Sequence, residues 1–456
     1  MPGAKKMVSQ LTEIVGEVNL IKDPDKLKAH AIDGKKPKVV VFPGTIDEVS
    51  KIVAYAHQEQ VTIIPTGNGT KIGIGEIPKK VDIILSTGRL NRMTDCDCDN
   101  LTLAAESGMT LNEVQKRLAK EGKGYFLPLD PSYTDKATLG GIVATNSSGP
   151  KRLLYGTARD LIIGTKAIFP NGDVVISGGK TVKNVSGYDM CKLLIGSYGT
   201  LGIICEMTFK LLPLPEKEAT LLFNFARLEE AYGFAREVRN SQFIPSSIET
   251  LNAMAVQEMK SPMAMPPNGN YLIAIGLEGV SEGIERQLSG LSDMGKKHGA
   301  LEALTLNAEK HHAFWIALRD FPQDLKENYP TLISLKSNFL ISKWGEMLKS
   351  YENIVQEKGI GCAFLCHSGN GILYSYILSE KNLRSKIGSL IEIIEKLKSE
   401  VVKNEGNLVM EVSPLSIKKK VDVWGQPRSD YRIMRRLKEE MDPAGILNPG
   451  RFVGGI

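Results

Sequence analysis

The chain has 456 residues, 42% hydrophobic and 24% charged, a globular composition that excludes wholesale disorder, coiled coil and collagen. Its length predicts two or three domains, because single cores rarely grow past about 250–300 residues. A formal net charge of +5, with no long Lys/Arg block among aromatics, is too mild for nucleic-acid binding.

Residues 6–32 read as helical, with Leu11, Ile14, Val15 and Val18 on one stripe. VVVF (39–42), VTIIP (61–65) and VDIIL (81–85) read as short buried strands. Between the first two, Thr45 reads as the N-cap of a helix carrying Val49, Ile52, Val53 and Ala56, with Glu48 completing a capping box. This alternation predicts an α/β unit with a partly parallel sheet. From 101 to 215 short β-like runs lie between many glycines, and only 110–121 carries a clear helix signal. LLPLPEKE (211–218) reads as a boundary. Beyond it, strands alternate with amphipathic helices at 226–240, 281–298 and 383–404, in a ferredoxin-like or related α+β layer. The tail holds a helix at 429–441 and then DPAGILNPGRFVGGI, too rich in Gly and Pro for a helix.

The six cysteines include a CxC (Cys96, Cys98) and the pair Cys362 and Cys366. Neither spacing suits a zinc ribbon or an iron–sulfur cluster, so free thiols are expected. The N-terminus has no continuous apolar run, and no stretch approaches the ~20 apolar residues of a membrane span. A cytoplasmic protein is expected, touching a membrane only through a partner.

Three glycine-rich segments carry the chemical signal. The first is Pro65-Thr66-Gly67-Asn68-Gly69-Thr70, directly after a strand. Small residues let backbone N–H groups surround a phosphate; alone, such a loop reads more readily as a tight hairpin. Its glycines miss the GxGxxG spacing, and Val174 stands where a P-loop needs Gly. The second is ATLGGIVATNSSG (137–149), and the third joins KNVSGYD (183–189) to GSYGTLGII (196–204). Three such segments within 140 residues predict one long ligand gripped at several points, as a dinucleotide is.

PTGNGT, ATLGGIVATNSSG, YGTARD, VKNVSGYDM and GSYGTLGIICE, in that order, resemble the FAD-binding domain of the vanillyl-alcohol oxidase (PCMH-type) superfamily, and NPGRF resembles the end of its FAD-linked oxidase branch. The resemblance spans essentially the whole chain. Within that branch the chain resembles the flavin-binding subunits of bacterial glycolate oxidase and D-lactate dehydrogenases; KNVSGYDM and VDVWG (421–425) look more like the second flavoprotein subunit than the larger one. The resemblance implies an α+β fold with a two-subdomain FAD-binding domain at 36–215, behind an N-terminal helical segment at 1–35. It further implies an α+β cap at 216–410 and a tail at 411–456 that returns to the flavin.

The same resemblance implies FAD as cofactor. Pro65, Thr66, Gly67, Asn68, Gly69 and Thr70 would hold its pyrophosphate side. Pro131, Thr138, Gly140, Gly141, Thr145, Ser148 and Gly149 would line the ribityl and isoalloxazine side. Gly199, Gly202 and Ile204, with Asn448 and Arg451 from the tail, complete the set. The first loop has neither His nor Cys, so non-covalent binding is expected.

On the substrate side the chain departs from the family. Catalytic relatives carry His-x-Gly-Asp-Gly-Asn-x-His and Gly-Glu-His-Gly; here stand His367, Asn370 and Tyr374, then Met410-Glu411-Val-Ser413. His367 and Glu411 are too few for tight metal binding, and a neutral Tyr is a poor base near pH 7. No metal is therefore assigned. His367 reads as a substrate-facing base or as a remnant bonded to its neighbours. Arg319 reads as a carboxylate clamp or a solvated helix residue. His311-His312 reads as surface plus core rather than a ligand pair. Catalytic candidates are thus His367, Tyr374 and Arg319. Three functions remain open: a flavoprotein subunit of a 2-hydroxyacid dehydrogenase complex, joining a catalytic FAD-linked oxidase subunit and an iron–sulfur partner; a free-standing FAD-dependent 2-hydroxyacid dehydrogenase; and a flavin-free scaffold.

Overall fold

The structure is a computed structural model that describes residues 2–180, 188–259, 269–378 and 383–456. Residues 183–187 of the KNVSGYD motif lie outside them. The chain forms two units, Met1–Ser148 with Thr157–Leu214 and Gln426–Ile456, and Gly149–Gly156 with Pro215–Gly425.

In the first unit Val39–Val41, Ile83–Ser86 and Ile63–Thr66 form a parallel sheet, with Leu20–Ile21 antiparallel at its edge. The apolar runs predicted these strands because a parallel sheet is covered on both faces. Helix Ile46–Glu59 buries Val49, Ile52, Val53 and Ala56. Thr45 caps it through the Glu48 amide, but the Glu48 carboxylate takes the N–H of Gly44 rather than that of Thr45. The predicted helix 6–32 stops at Val15, because Gly16 turns left-handed at φ +81. Val18, placed on the apolar stripe, is 92% exposed as a result.

A second, antiparallel sheet orders Met93–Asp97, Thr102–Glu106, Ile203–Lys210, Ile162–Ile168 and Val174–Gly178. Ile168, Ile203 and Cys205 from it join the core of the first sheet. Within 137–149, read as packed backbone, Leu139–Thr145 is a short helix capped by Thr138. Its Gly-Gly pair hides the helical signal. The tail returns beside the first sheet, where Ile446 accepts the N–H of Ile63 and Asn448 donates to the Ile63 carbonyl.

The second unit is one eight-stranded antiparallel sheet, in the order Glu302–Asn307, Lys217–Phe225, Tyr271–Gly279, Ser247–Asn252, Gly361–His367, Ile372–Leu378, Ile333–Asn338, Asn407–Val412. Each half runs strand, helix, strand, strand, helix, strand, the first with a further short helix, Ala253–Glu258, between its second and third strands, and counted from its outer edge each has the spatial order fourth, first, third, second. These are two ferredoxin-like halves, joined edge to edge where Ser247–Asn252 pairs with Gly361–His367. Alternation separates the faces. Phe223 and Phe225 meet Phe234 of helix Leu228–Asn240, while Leu222, the neighbour that precedes Phe223, shares a buried cluster with Phe314, Leu318 and Phe321 of helix Glu309–Asn328. Among the described residues no helix is long and apolar enough to cross a membrane, and all six cysteines are free.

Candidate functional site

A cleft of about 910 Å³, open to solvent, runs through the first unit. Pro65, Thr66, Gly67, Asn68, Gly69 and Thr70 line it, emerging from the end of a parallel strand. So do Pro131, Thr138, Gly140, Gly141, Thr145, Gly199, Gly202, Ile204, Asn448 and Arg451. Two of the predicted residues stand elsewhere. Asn146 adopts a left-handed conformation at φ +46 and ends the helix, and it is Ser147, not Ser148, that lines the cleft. Gly149 belongs to the second unit.

The glycines here serve close approach. A Cβ on Gly67 would stand 2.1 Å from the Thr138 hydroxyl, and one on Gly199 (φ +68) 2.6 Å from the Pro65 ring. The first glycine segment is thus packed against both of the others. The structure adds Lys71, which motif reading missed because one Lys after a glycine loop carries no pattern. Its Nζ donates to Ser147 Oγ at 2.7 Å, and that hydroxyl shares a hydrogen bond with Thr145. Arg451 does not present a free charge. Its guanidinium donates to the carbonyls of Ile72 and Ile74 and so holds the end of the first loop. Burial pulls it down to about 10, which leaves it charged at pH 7. Asn448 donates to the Tyr198 carbonyl at 2.6 Å, while its Oδ1 is buried without a partner among the described residues. An orphaned buried acceptor costs about 1–3 kcal/mol, so this wall is built to receive a donor from a bound molecule.

In the second unit, strand register gathers a polar set on one face. Glu249 stands opposite His367, His367 opposite Ile372, and Tyr374 opposite Lys336. Tyr374 lies two residues past Ile372 and thus on the His367 face. His367 and Glu249 are both buried, with Nδ1 of His367 2.6 Å and 2.7 Å from the two carboxylate oxygens. Donating Nδ1–H to Glu249 fixes the tautomer and orientation of the ring. Tyr374 sets its ring edge-on to His367, with centroids 5.3 Å apart, and Lys336 Nζ lies 5.7 Å from the Tyr374 centroid. Burial pushes the Lys336 amine below the usual lysine range; Glu411 opposes this and Arg152 adds to it. Arg319 makes a bidentate clamp, but on its neighbour Asp320, at 3.1 and 2.8 Å. The sequence signalled His367 through its motif. Glu249 and Lys336 lie in ordinary strand runs and carried no signal.

The model of the FAD binding domain matches residues 37–178, and that of the C-terminal domain of FAD linked oxidases matches residues 214–452. The chain belongs to the FAD-linked oxidase family. It is 29% identical to the glycolate oxidase subunit GlcD of Bacillus subtilis (strain 168), over 91% of this chain and 89% of that one. It is 26% identical to a D-lactate dehydrogenase of Archaeoglobus fulgidus, over 91% of each. Its fold matches that of p-cresol methylhydroxylase with a TM-score of 0.77, at 16% identity, over 99% of this chain and 97% of that one.

This FAD-linked oxidase is an FAD-dependent oxidoreductase, and the cleft suits the cofactor. Its glycine walls admit close backbone contact, Lys71 offers a cation for a pyrophosphate, and Asn448 Oδ1 has no hydrogen-bond partner among the described residues. Among the described residues no histidine or cysteine lines it.

Proposed function

We propose that the chain oxidises a small 2-hydroxyacid, with non-covalent FAD in the cleft of the first unit and His367 as the base. The observation that carries this reading is the buried His367–Glu249 pair. An imidazole whose Nδ1–H is held by a carboxylate presents Nε2 as an acceptor, and the resulting imidazolium is stabilised by the adjacent negative charge. Bound FAD supplies a two-electron acceptor for the hydride equivalent from the carbon. His367 takes the hydroxyl proton. Lys336 and Arg152 supply positive charge on this unit for the substrate carboxylate. The names of the two relatives, a glycolate oxidase subunit and a D-lactate dehydrogenase, support the substrate class.

A second reading is favoured by Tyr374, which stands where catalytic relatives carry a second imidazole. In it the chain is one subunit of a complex and passes electrons between a catalytic flavoprotein and an iron–sulfur protein. Six free cysteines without the grouping of a cluster motif support placing any cluster on another chain.

The test is anaerobic mixing of the flavin-loaded chain with glycolate or D-lactate. Bleaching of the flavin absorbance by the chain alone supports the first reading. Absence of bleaching with every 2-hydroxyacid tried would overturn it, and bleaching only on adding the partner subunits would establish the second.

A further inference from the structure

Three side chains that the proposed chemistry does not use meet in the second unit. Glu218 lies in the strand Lys217–Phe225, and His311 and His312 open the helix Glu309–Asn328. Their ligating atoms all lie within 4.8 Å of one another. We propose that Glu218, His311 and His312 form a binding site for a divalent transition-metal ion, with zinc the best fit.

The distances point to an ion rather than to hydrogen bonds. Nε2 of His311 stands 3.8 Å from one Glu218 oxygen, and Nε2 of His312 stands 3.5 Å from the other. Both exceed the ~2.7–2.9 Å of a charge-assisted hydrogen bond. Two ligand atoms each about 2.1 Å from a tetrahedral ion stand roughly 3.4 Å apart, so small side-chain adjustments close the set around a centre.

A second observation shows that the site is built. His311 is 1% exposed. Its Nδ1 lies 2.8 Å from the hydroxyl of Thr220, a fully buried residue whose oxygen also receives the indole N–H of Trp315 at 2.8 Å. In the tautomer that donates Nδ1–H to Thr220, the Nε2 lone pair faces Glu218. Metal-ligating histidines are fixed in this way by an acceptor behind the ring. His312 is 60% exposed at its side chain and gives an ion access from solvent.

One cation already neighbours the carboxylate. Lys151 Nζ lies 3.4 Å from Glu218, but it lies nearer to Glu278, at 2.9 Å. An ion at Glu218 therefore leaves the ammonium with a partner. Two imidazoles and one carboxylate suit zinc, with water completing the shell; calcium and magnesium prefer all-oxygen sets. The site would tie the opening of a strand to the opening of the helix packed over the sheet, and binding would stabilise the folded chain by mass action.

The experiment is calorimetric titration of the untagged, chelator-stripped full chain with zinc chloride, with cobalt(II) absorption as a second readout of ligand geometry. One equivalent should bind and raise the melting temperature. His312→Ala, at an exposed position, and Glu218→Gln should each weaken binding by at least about tenfold, whereas His367→Gln should leave it unchanged. Circular dichroism checks that each variant is folded. No binding to the parent chain, undiminished binding by both folded site variants, or loss only in His367→Gln would overturn the proposal.

Discussion

Nδ1 of His367 is held 2.6 Å from a carboxylate oxygen of Glu249, across the seam where two ferredoxin-like half-sheets join. The two residues are 118 apart in the chain and directly opposite in register. If His367 is the base, Glu249 is its positioning residue. Glu249→Gln should lower kcat by about 10²–10⁴, the range of general-base catalysis, with flavin content unchanged. The double variant with His367→Gln should be no slower than the worse single, because the pair acts as one unit. Steady-state rates of the three variants check this; additive losses would separate the two roles.

Gly67 faces Thr138 too closely for any side chain. Gly67→Ala forces the first loop away from its neighbour, and such overpacking costs about 1–3 kcal/mol. If the loop holds FAD, affinity should fall about 10–100-fold. Flavin fluorescence titration of the apoprotein measures this, and an unchanged affinity would remove the loop from the cofactor site.

Lys438 is buried, and its ammonium donates to the carbonyls of Thr200 and Leu447 and to Asp442. Asp442 in turn accepts the N–H groups of Ile446 and Leu447. This knot fixes the tail against the Ser197–Thr200 turn, beside Gly199 and Asn448 of the cleft. Lys438→Met strands the Asp442 charge and should cost about 3–5 kcal/mol by urea unfolding. Lys438→Met with Asp442→Leu should recover part of it.

Asp82 gives a pH signature. Burial pushes its carboxyl up, but Lys38 and Lys80 at 2.8 and 2.7 Å, with the Thr62 amide and hydroxyl at 3.0 Å, outweigh that and hold it below the usual range. A depressed folded value stabilises the fold above the unfolded value, about 3.9, and that stability is lost as pH falls through the folded value. Asp82→Asn should cost about 1–3 kcal/mol near pH 7. The gap should close below about pH 4. Urea midpoints at several pH values test this; a constant gap would refute it.

Local order explains what could be read before folding. The strand at 39–41, the Thr45 cap, the helix at 111–121 and the glycine loop after Ile64 depend on neighbours within a few residues, so composition and spacing reveal them. The same reasoning failed where local and tertiary preferences disagree. The Leu139–Thr145 helix is masked by its glycines, and the stripe that seemed to continue to Val18 ends at one left-handed residue, Gly16.

The flavin fold and its cofactor were legible in advance through the resemblance of contiguous glycine-rich motifs to the family, because such motifs stay together in the chain. Tertiary structure alone decided that Glu249 backs His367, that Lys71 rather than Arg451 brings its cation to a cleft hydroxyl, and that Glu218 reaches His311 and His312. Each of these pairings joins residues far apart in the chain, and only strand register and packing bring them within bonding distance.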